Sequence, residues 1–180
     1  NGTVIFDGGH DQDLTSGLKS FHNLSTAISS TDLNIQDALI VDNNLTIAAS
    51  TSLDAGINMA ISVGGDWTNS GTFISASGTV TLNGSTPQLI SGNTFFYDLT
   101  INNSSSEITL NNGIVVLGTL NLTNGIVNQN NLYPLEIRNG ATAINASNSS
   151  HTYNGGLIKW FNNSNPFTYP VGDGTNYRPI

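Results

Sequence analysis

Few residues in this chain are suited to chemistry. The stretch DGGHDQD gathers three carboxylates, Asp7, Asp11 and Asp13, with His10 among them. Hard cations take several oxygen ligands, so this loop is a candidate calcium site, and calcium is the one cofactor the sequence suggests. Its spacing matches neither the EF-hand loop nor the glycine-rich calcium repeat, and the similar stretch NGSTPQ, Asn83 to Gln88, carries no acid. The plainer reading is a solvated acidic loop. A second candidate is aromatic: Trp67, Trp160 and Tyr153, with Phe161, could offer flat apolar faces and polar edges to a carbohydrate. Packing is the ordinary alternative, because Trp67 follows Gly64-Gly65 at a corner and Trp160 alternates with Ile158.

Catalysis finds less support. His10, His22 and His151 share no metal-ligand spacing, and no nucleophile can be placed beside any of them. A polysaccharide lyase needs a basic residue to take a proton, and a glycoside hydrolase needs paired carboxylates at a set separation. Lys19, Arg138, Lys159 and Arg178 are the whole basic complement. We therefore expect no catalytic residues and no enzyme. A net charge of −8 leaves little to neutralise phosphates, which argues against nucleic acid. Without cysteine there is neither a disulfide framework nor a thiolate metal site. No apolar run of about 18 residues is present, so insertion into a membrane is not expected. The first residues, Asn1-Gly2-Thr3-Val4, lie in mid-motif, and we expect a segment of a longer protein with its targeting signals elsewhere.

Any such side chain must be positioned by short strands. From Phe95 to Gly125 one pattern repeats: apolar, polar, apolar, then Asn or Gly, as in Leu99/Ile101, Ile108/Leu110 and Leu120/Leu122. Two residues is the period that puts both aliphatics on one face of a strand. Asn102-Asn103, Asn111-Asn112-Gly113 and Asn124-Gly125 supply sharp corners between them. Helix formers are scarce and charged residues make up only 9 % of the chain. Val4, Leu24, Leu45, then Ile61 or Val63, Val80, Leu99 and Leu120 recur roughly every 20 residues, the length of one coil of a three-sided solenoid.

The spacing predicts an all-β parallel β-helix, or β-solenoid, of about eight coils and on the order of 40 Å long. A longer repeat overlies this one. GTVIFDG (Gly2 to Gly8) matches GTVTLNG (Gly78 to Gly84), and Gln12, Phe21, Leu24 and Leu45 fall on Gln88, Phe96, Leu99 and Leu120. The expected organisation is a solenoid over residues 1–150 in two copies of roughly 75 residues, about 2–77 and 78–150. Residues 151–180, rich in aromatics and proline, would form a β cap or a junction to a following domain.

The motifs GGDWTNSGTF, GTVTLNGSTPQLISG, FFYDLTINNSS, VLGTLNLTNGIV and FTYPVGDGTNYRPI together resemble the repetitive regions of large secreted surface proteins of Bacteroidetes-type bacteria. The resemblance spans nearly the whole chain. It implies a secreted or cell-surface, adhesin-like protein, exported by the type IX secretion machinery and acting as stalk or scaffold, with polysaccharide or other surface components as partners. It carries over no catalytic residues.

Overall fold

Three or four residues of alternating aliphatic and hydroxyl or amide side chain, cut by Asn and Gly, form a short strand, and a longer one only where pairing continues round a corner. The computed structural model describes residues 2–27, 32–162 and 164–180, and the side chains of all of these but Ser105 and Ser106. The described residues are all-β, with no helix among them. Three strands make one turn: β1 (Thr3–Phe6), β2 (Gln12–Leu14) and β3 (Ser20–Phe21), then β4 (Asn23–Thr26), β5 (Asp32–Ile35) and β6 (Leu39–Val41). The third turn is β7 (Leu45–Ile47), β8 (Ser52–Asp54) and β9 (Ala60–Val63), and the fourth is β10 (Trp67–Asn69), β11 (Thr72–Ile74) and β12 (Thr79–Leu82). Next come β13 (Gln88–Ser91), β14 (Thr94–Phe96) and the long β15 (Asp98–Leu110), followed by β16 (Ile114–Val116) and the long β17 (Thr119–Asn128). The last are β18 (Leu135–Ile137), β19 (Thr142–Ile144), β20 (Thr152–Tyr153) and β21 (Leu157–Lys159). Both β15 and β17 pass round a corner and serve two walls.

Every pairing between these strands is parallel, strand on the strand one turn away. The result is a parallel β-solenoid of seven complete turns, with β20 and β21 beginning an eighth. The first wall is built on β1, β4, β7, β10, β13, the later halves of β15 and β17, and β20. The second wall holds β2, β5, β8 and β11, then β14, β16, β18 and β21, with β11 next to β14. The third wall holds β3, β6, β9, β12, the earlier halves of β15 and β17, and β19.

Inside, aliphatic columns fill the prism. Leu24, Leu45, Trp67 and Ile90 stack on the first wall, Leu33, Leu53 and Phe73 on the second, and Leu39, Ile61, Val80, Leu99 and Leu120 on the third. All of these are buried, each covered by the turn above and the turn below. The single column expected from Val4 through Leu45 to Leu120 is two columns. Ile61 arrives too early to follow Leu45, whose neighbour on the next turn is Trp67; Ile61 sits instead on Leu39, a wall further round. Because strands on different walls share an apolar-polar-apolar pattern, as in Leu39–Val41 and Leu45–Ile47, counting along the sequence can step from one wall to another.

The corners are tied by side chains as well as by backbone. Asn23 Oδ1 accepts the backbone N–H of Asn44 at 3.1 Å, Asn44 Oδ1 that of Asp66 at 2.9 Å, and Asp66 Oδ1 that of Leu89 at 2.8 Å. One edge of the prism thus carries the same bond from turn to turn. At the far end the tail folds back on the last turn: the Thr152 N–H donates to Pro170 O at 2.8 Å, and Gly172 N–H donates to Thr152 O at 2.9 Å.

Candidate functional site

Asp7, Asp11 and Asp13 do not converge. Asp7 lies just past β1 and is exposed. Asp11 Oδ1 accepts the backbone N–H of Asp32 at 3.1 Å, and Asp13 Oδ1 accepts from Asn34 Nδ2 at 3.3 Å and Gln36 Nε2 at 3.0 Å. These two carboxylates tie the first turn to the second. No group of three or more His, Cys, Asp or Glu side chains able to share an ion occurs among the described residues. His10 and His22 are exposed, whereas His151 is buried with Nδ1 3.1 Å from the carbonyl oxygen of Ser147.

Trp67, Tyr153 and Trp160 occupy three different places. Trp67 is wholly buried at mid-length, edge-on to Phe73 with ring centroids 4.9 Å apart and 5.2 Å from Phe96, and its Nε1–H donates to Thr94 Oγ1 at 3.2 Å. It cannot lay a ring face against a sugar. Tyr153 stands on the first wall, where its hydroxyl donates to Glu107 Oε2 at 3.1 Å. Burial first, then the hydrogen bond and charge of Glu107, push its phenol above the ordinary tyrosine range. Only Trp160, at the end of β21 on the second wall, is largely open to solvent.

Trp160 belongs to a larger surface that the sequence reading missed. On the second wall Phe95, Val115, Glu136 and Ile158 are in register, one per turn, and point outward. The ladder runs one residue further, Leu117 N–H to Phe96 O, Arg138 N–H to Val116 O and Trp160 N–H to Ile137 O, each at 2.9 Å. Tyr97, Leu117, Arg138 and Trp160 thereby form a second outward column beside the first. Glu136 and Arg138 pair at 3.4 Å, Trp160 Nε1–H donates to Glu136 Oε2 at 3.1 Å, and the Arg138 guanidinium lies 5.4 Å from the Trp160 ring centroid. A shallow groove of about 340 Å³ runs between Phe95, Val115, Pro134, Glu136 and Arg138. The signal was present in the sequence as apolar residues flanking inward ones, Phe95 and Tyr97 around Phe96, Val115 and Leu117 around Val116. Without register, nothing assigned them to one surface.

Chemically, this wall can stack a flat apolar partner and exchange hydrogen bonds with hydroxyl groups through a charge-neutral acid and base. The same wall nearer the first turn is polar, with Asp13, Asn34 and Asp54 in its outward column. Compared with protein-family models, curated proteins and solved structures, the chain matches none.

Proposed function

We propose that this chain is a non-catalytic structural segment, a stalk or adhesive scaffold, of a secreted or cell-surface protein. The resemblance of its motifs to the repetitive regions of large Bacteroidetes-type surface proteins is what supports that placement, and with it export by the type IX machinery. The observation that carries the reading is the unbroken stacking of seven turns on one continuous core, with hydroxyl and amide side chains covering much of the outside. On the third wall, for example, Ser62, Thr81, Thr100 and Asn121 follow one another outward. Such a body is held by neighbour-on-neighbour contacts and transmits load along its axis.

A carbohydrate-binding β-helix is the second reading, favoured by the exposed rings and the Glu136–Arg138 pair on the second wall. Binding and turnover measured against a panel of polysaccharides, with and without calcium, separate the two. The scaffold reading expects no turnover of any polymer. Reproducible cleavage would overturn it and establish a polysaccharide-degrading β-helix.

A further inference from the structure

Five of the chain's exposed large apolar side chains, Phe95, Tyr97, Leu117, Ile158 and Trp160, stand on one stretch of one wall, each between 37 % and 50 % exposed. Scattered singly they would need no explanation; gathered in two columns held in register on one parallel sheet they mark an interaction surface. We infer that this part of the second wall binds an uncharged polysaccharide, lying along the stacking axis of the solenoid. The inference rests on the carbohydrate reading above and places it on named residues.

Three features select that occupant. The surface is four turns long and two columns wide, roughly 14 Å by 7 Å in the plane of the sheet. A strip one two-residue step across is unlike the broad face, roughly 800 Å² per partner, that a stable protein interface buries. It suits a narrow linear polymer. Second, charge excludes the acidic polymers: the molecule carries a net −8, and the one cation in the columns, Arg138, is already paired with Glu136. An anionic chain would meet the net repulsion of the molecule, offset only by Lys159, whose ammonium is turned onto the Arg138 and Ala141 carbonyls. Third, the chemistry is two-fold in the way sugars are. Aromatic rings at both ends, Phe95 with Tyr97 and then Trp160, offer flat apolar faces, while Glu136 and Arg138 midway offer an acceptor and several donors to hydroxyl groups.

The test uses the whole chain against neutral polymers (cellulose, xylan, mixed-linkage β-glucan, chitin) and against alginate and polygalacturonate. Retention on at least one neutral polymer, insensitive to salt, is expected. The triple variant Phe95→Thr, Tyr97→Thr, Trp160→Ala should bind at least tenfold more weakly, while Thr46→Ala with Thr68→Ala on the first wall should bind as the parent does. A measurement on the unaltered protein accompanies it. Of the two tryptophans, Trp67 is buried and Trp160 is exposed, so acrylamide-quenchable fluorescence reports Trp160, and the bound polymer should shield it. Retention that survives the triple variant and leaves Trp160 quenchable would overturn this site but keep the carbohydrate reading. No retention on any polymer would overturn both, whereas binding to the anionic polymers alone would overturn this site and keep the carbohydrate reading. Self-association abolished by the triple variant, without polysaccharide retention, would assign the wall to a second copy of the chain instead.

Discussion

Gln88 shows how a single buried amide can hold two turns. It is wholly buried, its Nε2 donates to Val63 O at 3.0 Å and to Gly65 O, and its Oε1 accepts Gly84 N–H at 3.0 Å and Asn103 Nδ2 at 2.8 Å. Gln88→Met keeps the volume but strands the Gly84 N–H and the Gly65 carbonyl, and should cost about 2–4 kcal/mol in urea unfolding. Trp67→Ala removes the largest fully buried side chain and its contacts with Phe73 and Phe96, and should cost about 3–5 kcal/mol by the same measurement. Asp37 acts at a turn instead of in the core. The Ser16 backbone N–H, bound at 2.8 Å, is the main reason its carboxyl stays below the ordinary aspartate range; desolvation opposes this, and the Gly17 N–H at 2.7 Å adds to it. A lowered folded value means that the stabilisation is present above about pH 3.9, the unfolded value, and is lost as pH falls through the lower folded value. The Gly17 amide resonance should therefore titrate with a midpoint below about 3.9, and Asp37→Asn should remove that titration. A midpoint at or above the ordinary value would refute the assignment.

Among elements, strand and corner were readable because each rests on local chemistry. Alternating aliphatics in Leu99/Ile101 and Leu120/Leu122 announce strands, and the Asn pairs announce corners; both appear in the structure, including the ladder from Asn23 through Asn44 to Asp66. Which wall a strand joins was not readable, because that depends on how many residues each corner consumes. The inward and outward positions of one strand should differ sharply. Leu120→Asp places a carboxylate between Leu99 and Ala143 and should cost at least about 4 kcal/mol, whereas Thr100→Lys, outward between Thr81 and Asn121, should stay within about 1 kcal/mol in the same unfolding assay. The acids Asp11 and Asp13 read in sequence as possible ion ligands; in the fold they accept hydrogen bonds from the next turn. The sequence carried their identity and spacing, but their partners lie about 20 residues away, one turn on.

For the whole molecule, stability should add turn by turn. Deleting residues 2–22 removes β1, β2 and β3 and one layer of pairing, and the rest should still fold, with the urea m-value lower by roughly a seventh. A chain that fails to fold at all after that deletion would contradict neighbour-only stabilisation. The long sequence repeat also acquires a geometric meaning. GTVIFDG and GTVTLNG become β1 and β12, eleven strands apart, and since three strands complete a turn, the matching segments lie on different walls. Similar sequence therefore faces different directions along the rod.

Composition and two-residue alternation were enough to specify a parallel solenoid with turns of about 20 residues, because strand formation and corner formation are decided within a few residues of chain. They were not enough to align Phe95, Glu136 and Trp160, or to send Trp67 into the core while leaving Trp160 outside. Those outcomes depend on the register between turns, which is set jointly by every corner and by the packing of each inner column on its neighbours, and only the folded stack contains that information.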